Sequence, residues 1–296
     1  MKALVFYLSL PLLYLISLLP YPLFYGLCDG IFFLVYHVFG YRKQVVRTNL
    51  KNAFPEKSEK ERRKIERMYF RYLVDLMLET FKTLTISKKS ALKKCEATPE
   101  AVKLFNEYHD KGQSVIIVMG HYGNWEWAGN TFSLSCKSPL YIIYHPLRNP
   151  YFDRLMYKMR TRFGNRLYPM KEAFKGMVAN RKEVNVTAFI ADQTPSPENA
   201  YWTTFLHQDT PVFWGTERLA CKLDYPIVYI TIDRYKRGRY RIHAKKMIEK
   251  PSLTREGEIS EMHTRLLEED IRRRPEIWLW SHKRWKHKRP AISQEI

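Results

Sequence analysis

Apolar residues fall along this chain in several distinct patterns, and each predicts a different element. From Ala3 to Leu19 and again from Tyr21 to Phe39 they run almost without a break, interrupted by Pro11 in the first stretch and by Asp29 and His37 in the second. As a helix the first stretch reaches roughly 26 Å, marginal for a bilayer core. No small-residue cleavage site follows it, so it reads as an uncleaved hydrophobic anchor. A buried hairpin in a soluble core is the competing reading. Arg42, Lys43, Arg47 and Lys51 come next, and cations on that flank put the rest of the chain on the cytoplasmic side. The expected division is an N-terminal membrane anchor, 1–40, and a cytoplasm-facing domain, 41–296.

Beyond residue 41 the apolar positions alternate between helical spacing and short continuous runs. Arg42–Phe54 reads as a helix ended by Pro55. Ser58 and Glu61 form a capping box for a helix Glu59–Phe81, whose stripe of Ile65, Met68, Tyr69, Tyr72, Leu73, Leu76 and Thr80 is expected to pack inward. Pro99–Asp110, Asn149 to about Phe163, Lys171–Arg181, Gly215–Cys221 and Glu256–Arg274 complete the expected helices. Between them lie Val- and Ile-rich runs, Ser114–Met119, Leu140–Tyr144 and Asn185–Ala191, too short to span a membrane and apolar on both faces. Pro226–Ile232 and Tyr240–Met247 read as a hairpin about Lys236-Arg237-Gly238. The alternation predicts an α/β fold with a mixed, mostly parallel central sheet flanked by helices.

The chemistry concentrates at Val115–Gly129, VIIVMGHYGNWEWAG. A buried strand runs into His121, glycines at 120 and 123 permit tight backbone geometry, and Asn124 is a good N-cap for a helix with Glu126 in its first turn. On one helix, His121 and Glu126 would stand about 140° apart. With His121 in the loop and Glu126 inside the helix, the carboxylate is expected to contact the imidazole and leave the other ring nitrogen facing a cleft. Such a histidine is a general base for a hydroxyl. The run Asn185–Ala191 delivers a second polar pair, Asp192-Gln193, to a strand end, followed by the loop TPSPENAYW. The helix after Asn149 carries Arg154, Lys158, Arg160 and Arg162, one of which can face the junction.

Charge and composition narrow the partners. The chain has 296 residues and a net charge of +20, which implies an anionic partner: a membrane surface, an acidic protein or nucleic acid. Beside an apolar N-terminus, the tail IWLWSHKRWKHKRP, with Trp278, Trp280 and Trp285 among its cations, reads as a headgroup-level anchor. His282 and His287 read as surface residues. The four cysteines show no CxxC spacing, so no zinc site or disulfide framework is indicated. No P-loop or G-x-G-x-x-G occurs, which removes the usual signals of nucleotide chemistry.

In this order the motifs resemble a known family. HYGNWE, His121–Glu126, resembles the H-x4-D/E motif of glycerolipid acyltransferases, in the form found in the late acyltransferases of bacterial lipid A biosynthesis. RTNLKNAFP, Arg47–Pro55, resembles that family's N-terminal signature. YHPLRNPYFDRLM is similar to its Y-R-P segment, with His145 in place of Arg, and FIADQ, GTERLA and the tail fall where its later motifs fall. The resemblance implies a glycerolipid-acyltransferase-like fold at the cytoplasmic face of the bacterial inner membrane. It implies transfer of an acyl chain from acyl carrier protein to a lipid hydroxyl, typically on a 3-hydroxyacyl chain, without cofactor, metal or nucleic acid. A lysophospholipid or an amino-acid lipid is the alternative acceptor. It places the catalytic pair at His121 and Glu126, and substrate or oxyanion contacts at Arg160, Asp192 and the helix start near Asn124. Asp192 is expected to hold Arg160 or shape the acceptor site.

Overall fold

The computed structural model of the chain describes residues 2–290. Four helices lead: α1 (Lys2–Leu18), α2 (Tyr21–Phe33) with a π-helical turn at Leu34–Val38, α3 (Lys43–Ala53) and α4 (Glu59–Lys82). Then come α5 (Lys88–Lys94), β1 (Cys95–Ala97), α6 (Pro99–Asp110), β2 (Val115–Met119), α7 (Trp125–Ser135) and β3 (Leu140–Tyr144). The middle of the chain holds α8 (Pro150–Thr161), β4 (Arg166–Pro169), α9 (Ala173–Ala179), β5 (Val186–Ile190) and a hairpin of β6 (Ala200–Phe205) and β7 (Gln208–Phe213). The last elements are α10 (Gly215–Leu223), β8 (Ile227–Lys236), β9 (Arg239–Ile248) and α11 (Glu258–Arg273).

Seven strands form one sheet in the order β1-β9-β8-β2-β5-β3-β4, all neighbours parallel except β8 and β9. This is the expected mixed, mostly parallel sheet. β2 lies at its centre and is buried along its whole length. Its alternate residues serve two cores. Val115, Ile117 and Met119 pack with Phe105 and Tyr108 of α6 and Trp127 and Phe132 of α7. Ile116 and Val118 pack with Ala173 and Met177 of α9 and Ile259 of α11. Burial on both faces is why the run carries no polar alternation. Each such side chain contributes about 1.5–3 kcal/mol relative to exposure.

α4 organises the other half of the molecule. Its capping box forms as expected: the Glu61 N–H donates to Ser58 Oγ and the Ser58 N–H to Glu61. Tyr69, Tyr72, Leu73 and Leu76 are buried, whereas Met68 faces out. The same inward face carries Glu66, Asp75 and Glu79, all buried. Asp75 is paired with Arg234 and Arg237, and Arg237 also bonds Asp29 of α2. These ions hold the β8–β9 hairpin to the helical layer.

α1 and α2 pack along α4, and α1 also meets α8. Both ends of α1 are tied down. Lys2 Nζ donates to the Arg148 carbonyl, and Lys82 Nζ donates to the carbonyls of Ser17 and Leu19. The outer face of α1 exposes Leu4, Leu8, Leu12 and Leu15. Tyr21–Val38 is long and apolar enough to cross a membrane, with a mean hydropathy of 1.2 over that window.

Three expectations are corrected. The segment after Asp192 enters the β6–β7 hairpin rather than remaining a loop. The tail is not a headgroup anchor: Trp278 and Trp280 are 2% and 0% exposed and pack with Phe54, Tyr69 and Phe205 in the core. His282 is half-buried rather than on the surface, and burial lowers its pKa to about 4. Tryptophans among cations look alike in a core and at an interface, because only the indole edge needs a polar partner.

Candidate active site

Parallel pairing brings the site together. β2 and β5 pair with Val115 opposite Val186 and Met119 opposite Ile190. Carried two residues beyond the strand ends, that register sets His121 opposite Asp192. His121 Nδ1 lies 2.6 Å from Asp192 Oδ1, and the His121 backbone N–H donates to Oδ2 at 2.8 Å. Trp278 Nε1 donates to the same Oδ2 at 2.7 Å. The carboxylate is 3% exposed and the imidazole 16%. Burial works to raise the Asp192 pKa, but the His121 charge and three donated hydrogen bonds outweigh it and hold the group at about 2. An ionised carboxylate only accepts, so Nδ1 carries the proton and the Nε2 lone pair faces outward. Gln193 Nε2 lies 3.3 Å from His121 Nε2, and Trp125 stands edge-on to the ring with centroids 4.8 Å apart.

Glycine is required on both sides of the histidine. A Cβ on Gly120 would lie 2.6 Å from Leu267 and 3.1 Å from Asp192 Oδ2. Gly123 has φ +65°, and a Cβ there would run into the Ile232 carbonyl. Its own carbonyl accepts from Tyr72 OH at 2.6 Å, and its N–H donates to Ile277. The turn is thereby clamped between α4, β8 and the tail.

Asn124 then caps α7. Its Oδ1 accepts from the Trp127 N–H at 3.0 Å, and its Nδ2 donates to Glu79 at 2.9 Å. Both ends of that side chain are committed, so only backbone at this helix start remains to meet a substrate. Glu79 is wholly buried and also accepts from Tyr25 OH and Tyr240 OH at 2.8 and 2.7 Å. Burial raises its pKa. Sequence reasoning passed over Glu79; the available signal was an acid at i+7 from Tyr72, on the face of α4 that the apolar stripe turns inward.

The expected contact between Glu126 and the imidazole does not form. Glu126 instead makes a bidentate pair with Arg160 of α8, at 2.6 and 3.0 Å. Both are largely buried, and although desolvation opposes it, Glu126 raises the Arg160 pKa. Arg162 turns away to the Thr83 carbonyl. Asp192 does not hold Arg160; it holds His121. The two acidic residues have exchanged their expected partners, because His121 leaves β2 toward β5 while Glu126 sits in the first turn of α7, facing α8.

The scattered motifs converge on this point. Asn49 of α3 donates to the carbonyls of Trp280 and His282 at 2.9 and 3.1 Å, fixing the tail whose Trp278 grips Asp192. Glu217 of α10 bonds the Gly257 and Ser260 N–H groups and so anchors the start of α11. His145 is exposed and bonds the neighbouring Pro146 carbonyl. Beside the histidine, between α7 and the sheet, lies a slot of about 50 Å3 lined by apolar side chains including Ile117, Trp125, Phe132, Ile142 and Ile190. Among the described residues no three His, Cys, Asp or Glu side chains converge as a metal-ion set. The arrangement is a carboxylate–imidazole pair beside an apolar slot, with an acid-held arginine on the next helix, a geometry suited to proton transfer.

Comparison with known proteins places the chain in a family. The family described as bacterial lipid A biosynthesis acyltransferase matches residues 1–287. The lipid A biosynthesis lauroyltransferase of Escherichia coli (strain K12) is 24% identical over 282 residues, covering 95% of this chain and 90% of that protein. The palmitoleoyltransferase of the same organism is 24% identical, covering 94% and 90%. A lipid A biosynthesis acyltransferase of Haemophilus influenzae is 22% identical, covering 75% and 76%. The chain belongs to the bacterial lipid A biosynthesis acyltransferase family and is an O-acyltransferase.

Proposed function

We propose that this enzyme transfers a fatty acyl group from the thioester of acyl carrier protein to the hydroxyl of a 3-hydroxyacyl chain on a lipid A precursor. The observation that carries the reading is the His121–Asp192 pair, whose geometry leaves Nε2 as the proton acceptor. Nε2 takes the hydroxyl proton as the oxygen attacks the thioester carbonyl. Asp192 stabilises the imidazolium, as the aspartate does in a Ser-His-Asp triad. The tetrahedral intermediate collapses with cleavage of the C–S bond, and His121 returns the proton to the departing thiolate. The acceptor supplies the nucleophile and the donor supplies an activated acyl group, so the steps need neither cofactor nor metal.

Five further features fit. The first backbone N–H groups of α7, at Trp125 and Glu126, point along a helix N-terminus that favours an oxyanion. Glu126 holds Arg160 extended for the phosphate-bearing part of a substrate. The slot behind Trp125 takes the donor chain. At about 50 Å3 it is well below the usual ligand pocket, so Trp125 swings off the ring as the chain enters. The net charge of +20 draws in an acidic carrier and holds the domain to an anionic leaflet, at about 1 kcal/mol per basic residue near the surface. The exposed faces of α1 and α2 immerse in the cytoplasmic side of the inner membrane. Because both ends of α1 are tied to the domain, its axis runs along the protein rather than away from it.

The test is acyl transfer by the full chain in detergent, with acyl carrier protein thioester and a lipid A precursor, products being weighed by mass spectrometry. His121→Ala leaves Trp278 bonded to Asp192 and should still fold, but lose at least 100-fold in turnover. Near-normal turnover in that variant removes His121 from the mechanism. Acylation of a lysophospholipid in place of the precursor reassigns the acceptor.

A further inference from the structure

The opposite face of the sheet carries a second, larger apolar cavity. It has a volume of about 350 Å3 and is walled by Ile143, Phe174, Phe189, Ile190, Phe213 and Leu219. That volume is enough for a ligand, within the range of small-molecule pockets. Ala191 also lines it, so its inner wall ends one residue before Asp192. Ile190 lines both this cavity and the slot beside Trp125. The two apolar spaces therefore flank the end of one strand, with the His121–Asp192 pair at that end.

The mouth of the cavity is cationic. Lys171 and Arg218 line it, and no described residue forms an ion pair with either. Arg218 instead lies over the Trp214 ring, 3.9 Å from its centroid, and Lys222 lies over Phe174 at 4.5 Å. Met170 and Phe174 stand at the rim with 46% and 41% of their surface exposed. Exposed apolar side chains beside unpaired cations suit an amphiphile with an anionic head.

We propose that this cavity binds the hydroxyacyl chain of the acceptor, with Lys171 and Arg218 meeting the acceptor's phosphorylated head. The inference rests on the acyl-transfer reading above and adds to it the place of the second hydrocarbon chain. The reaction brings two chains to one carbonyl. When the 3-hydroxyl reaches His121 Nε2, the acceptor carbons beyond it need an apolar space of their own. The slot between α7 and the sheet is taken by the donor. The cavity between β3, β5, α9 and α10 starts at the same strand end and lies on the other face, so the two chains approach without competing. This gives the GTERLA segment a division of labour: Glu217 anchors α11, while Thr216, Arg218 and Leu219 face the acceptor.

Photo-crosslinking of the full chain in detergent tests it. The probe is a phosphorylated glycolipid whose 3-hydroxyacyl chain ends in a diazirine. Labels on peptides containing Phe174, Phe213 and Leu219 are expected, and labels confined to Trp125–Phe132 overturn the assignment. Kinetics supply a second arm. Leu219→Trp fills the cavity and should raise the acceptor KM at least tenfold while the donor KM stays within twofold. The surface pair Lys171→Glu and Arg218→Glu should raise the acceptor KM by a similar factor, and removing the acceptor phosphates should erase the difference from wild type. Folded variants with an unmoved acceptor KM refute the site. Labelling of the cavity by a wild-type protein that transfers no acyl group would sink the acyl-transfer reading and leave the lipid site standing.

Discussion

Asp192→Asn is the sharpest probe of the site, because it changes charge and hydrogen-bond polarity without changing shape. In the native protein Oδ2 accepts two N–H bonds, from the His121 backbone at 2.8 Å and Trp278 Nε1 at 2.7 Å, while Oδ1 accepts from His121 Nδ1 at 2.6 Å. An asparagine has one acceptor oxygen. The position facing two donors selects it, so the amide NH2 falls opposite Nδ1. Two donors cannot share that bond, and the ring shifts its proton to Nε2. On the mechanism proposed above, the base is then blocked at the atom that must accept. Replacing the aspartate of a Ser-His-Asp triad by asparagine lowers turnover by about 10⁴ through the same wrong tautomer. A comparable loss, about 5 kcal/mol in activation free energy, is expected here. Steady-state transfer assayed by product mass supplies the rate.

Stability supplies an independent readout of the same substitution. The Asp192 carboxyl is held at about 2 against an ordinary 3.8, a difference worth about 2 kcal/mol of folding free energy. The folded value is depressed, so this contribution is complete above the unfolded pKa and is lost as pH falls from about 4 toward 2. The variant should melt a few degrees lower at neutral pH and lose less stability than wild type between pH 5 and pH 2. A variant that folds normally and turns over within tenfold of wild type would refute the assignment of Asp192 as the partner of His121.

The other predictions concern the neighbouring elements. Glu126→Gln and Arg160→Gln should each lower kcat/KM, and the double variant should be little worse than either, with a coupling of about 1–3 kcal/mol in a double-mutant cycle; additive losses would dissolve the pair. Gly123→Ala forces a side chain onto φ +65° and against the Ile232 carbonyl, so the melting temperature should fall by the equivalent of about 1–3 kcal/mol. An unchanged melting curve would show that the turn adopts another conformation. Membrane association should survive a high-salt wash yet be weakened by the pair Leu8→Glu and Leu15→Glu, both on the exposed face of α1; release by salt alone would assign binding to charge.

Much of this molecule is legible in local sequence. The central strand announced itself by a Val–Ile run apolar on both faces, α4 by its capping box, and the turn after β2 by glycines around a histidine. Resemblance of ordered motifs supplied the family. What local pattern could not supply was pairing. Asp192 meets His121 only because β2 and β5 lie side by side in one particular register, and register is set by burial of the whole sheet, not by residues near either partner. The same limit explains Glu126, which looked like the histidine's partner at five positions and proved to be the partner of Arg160, 34 positions away. It explains the tail tryptophans, whose composition suits an interface but which pack in the core beside Asn49, 231 positions upstream of Trp280. Periodicity records which way a side chain faces within its own element. Which group it then meets depends on how distant elements pack, and at this site that packing chose the carboxylate that holds the histidine.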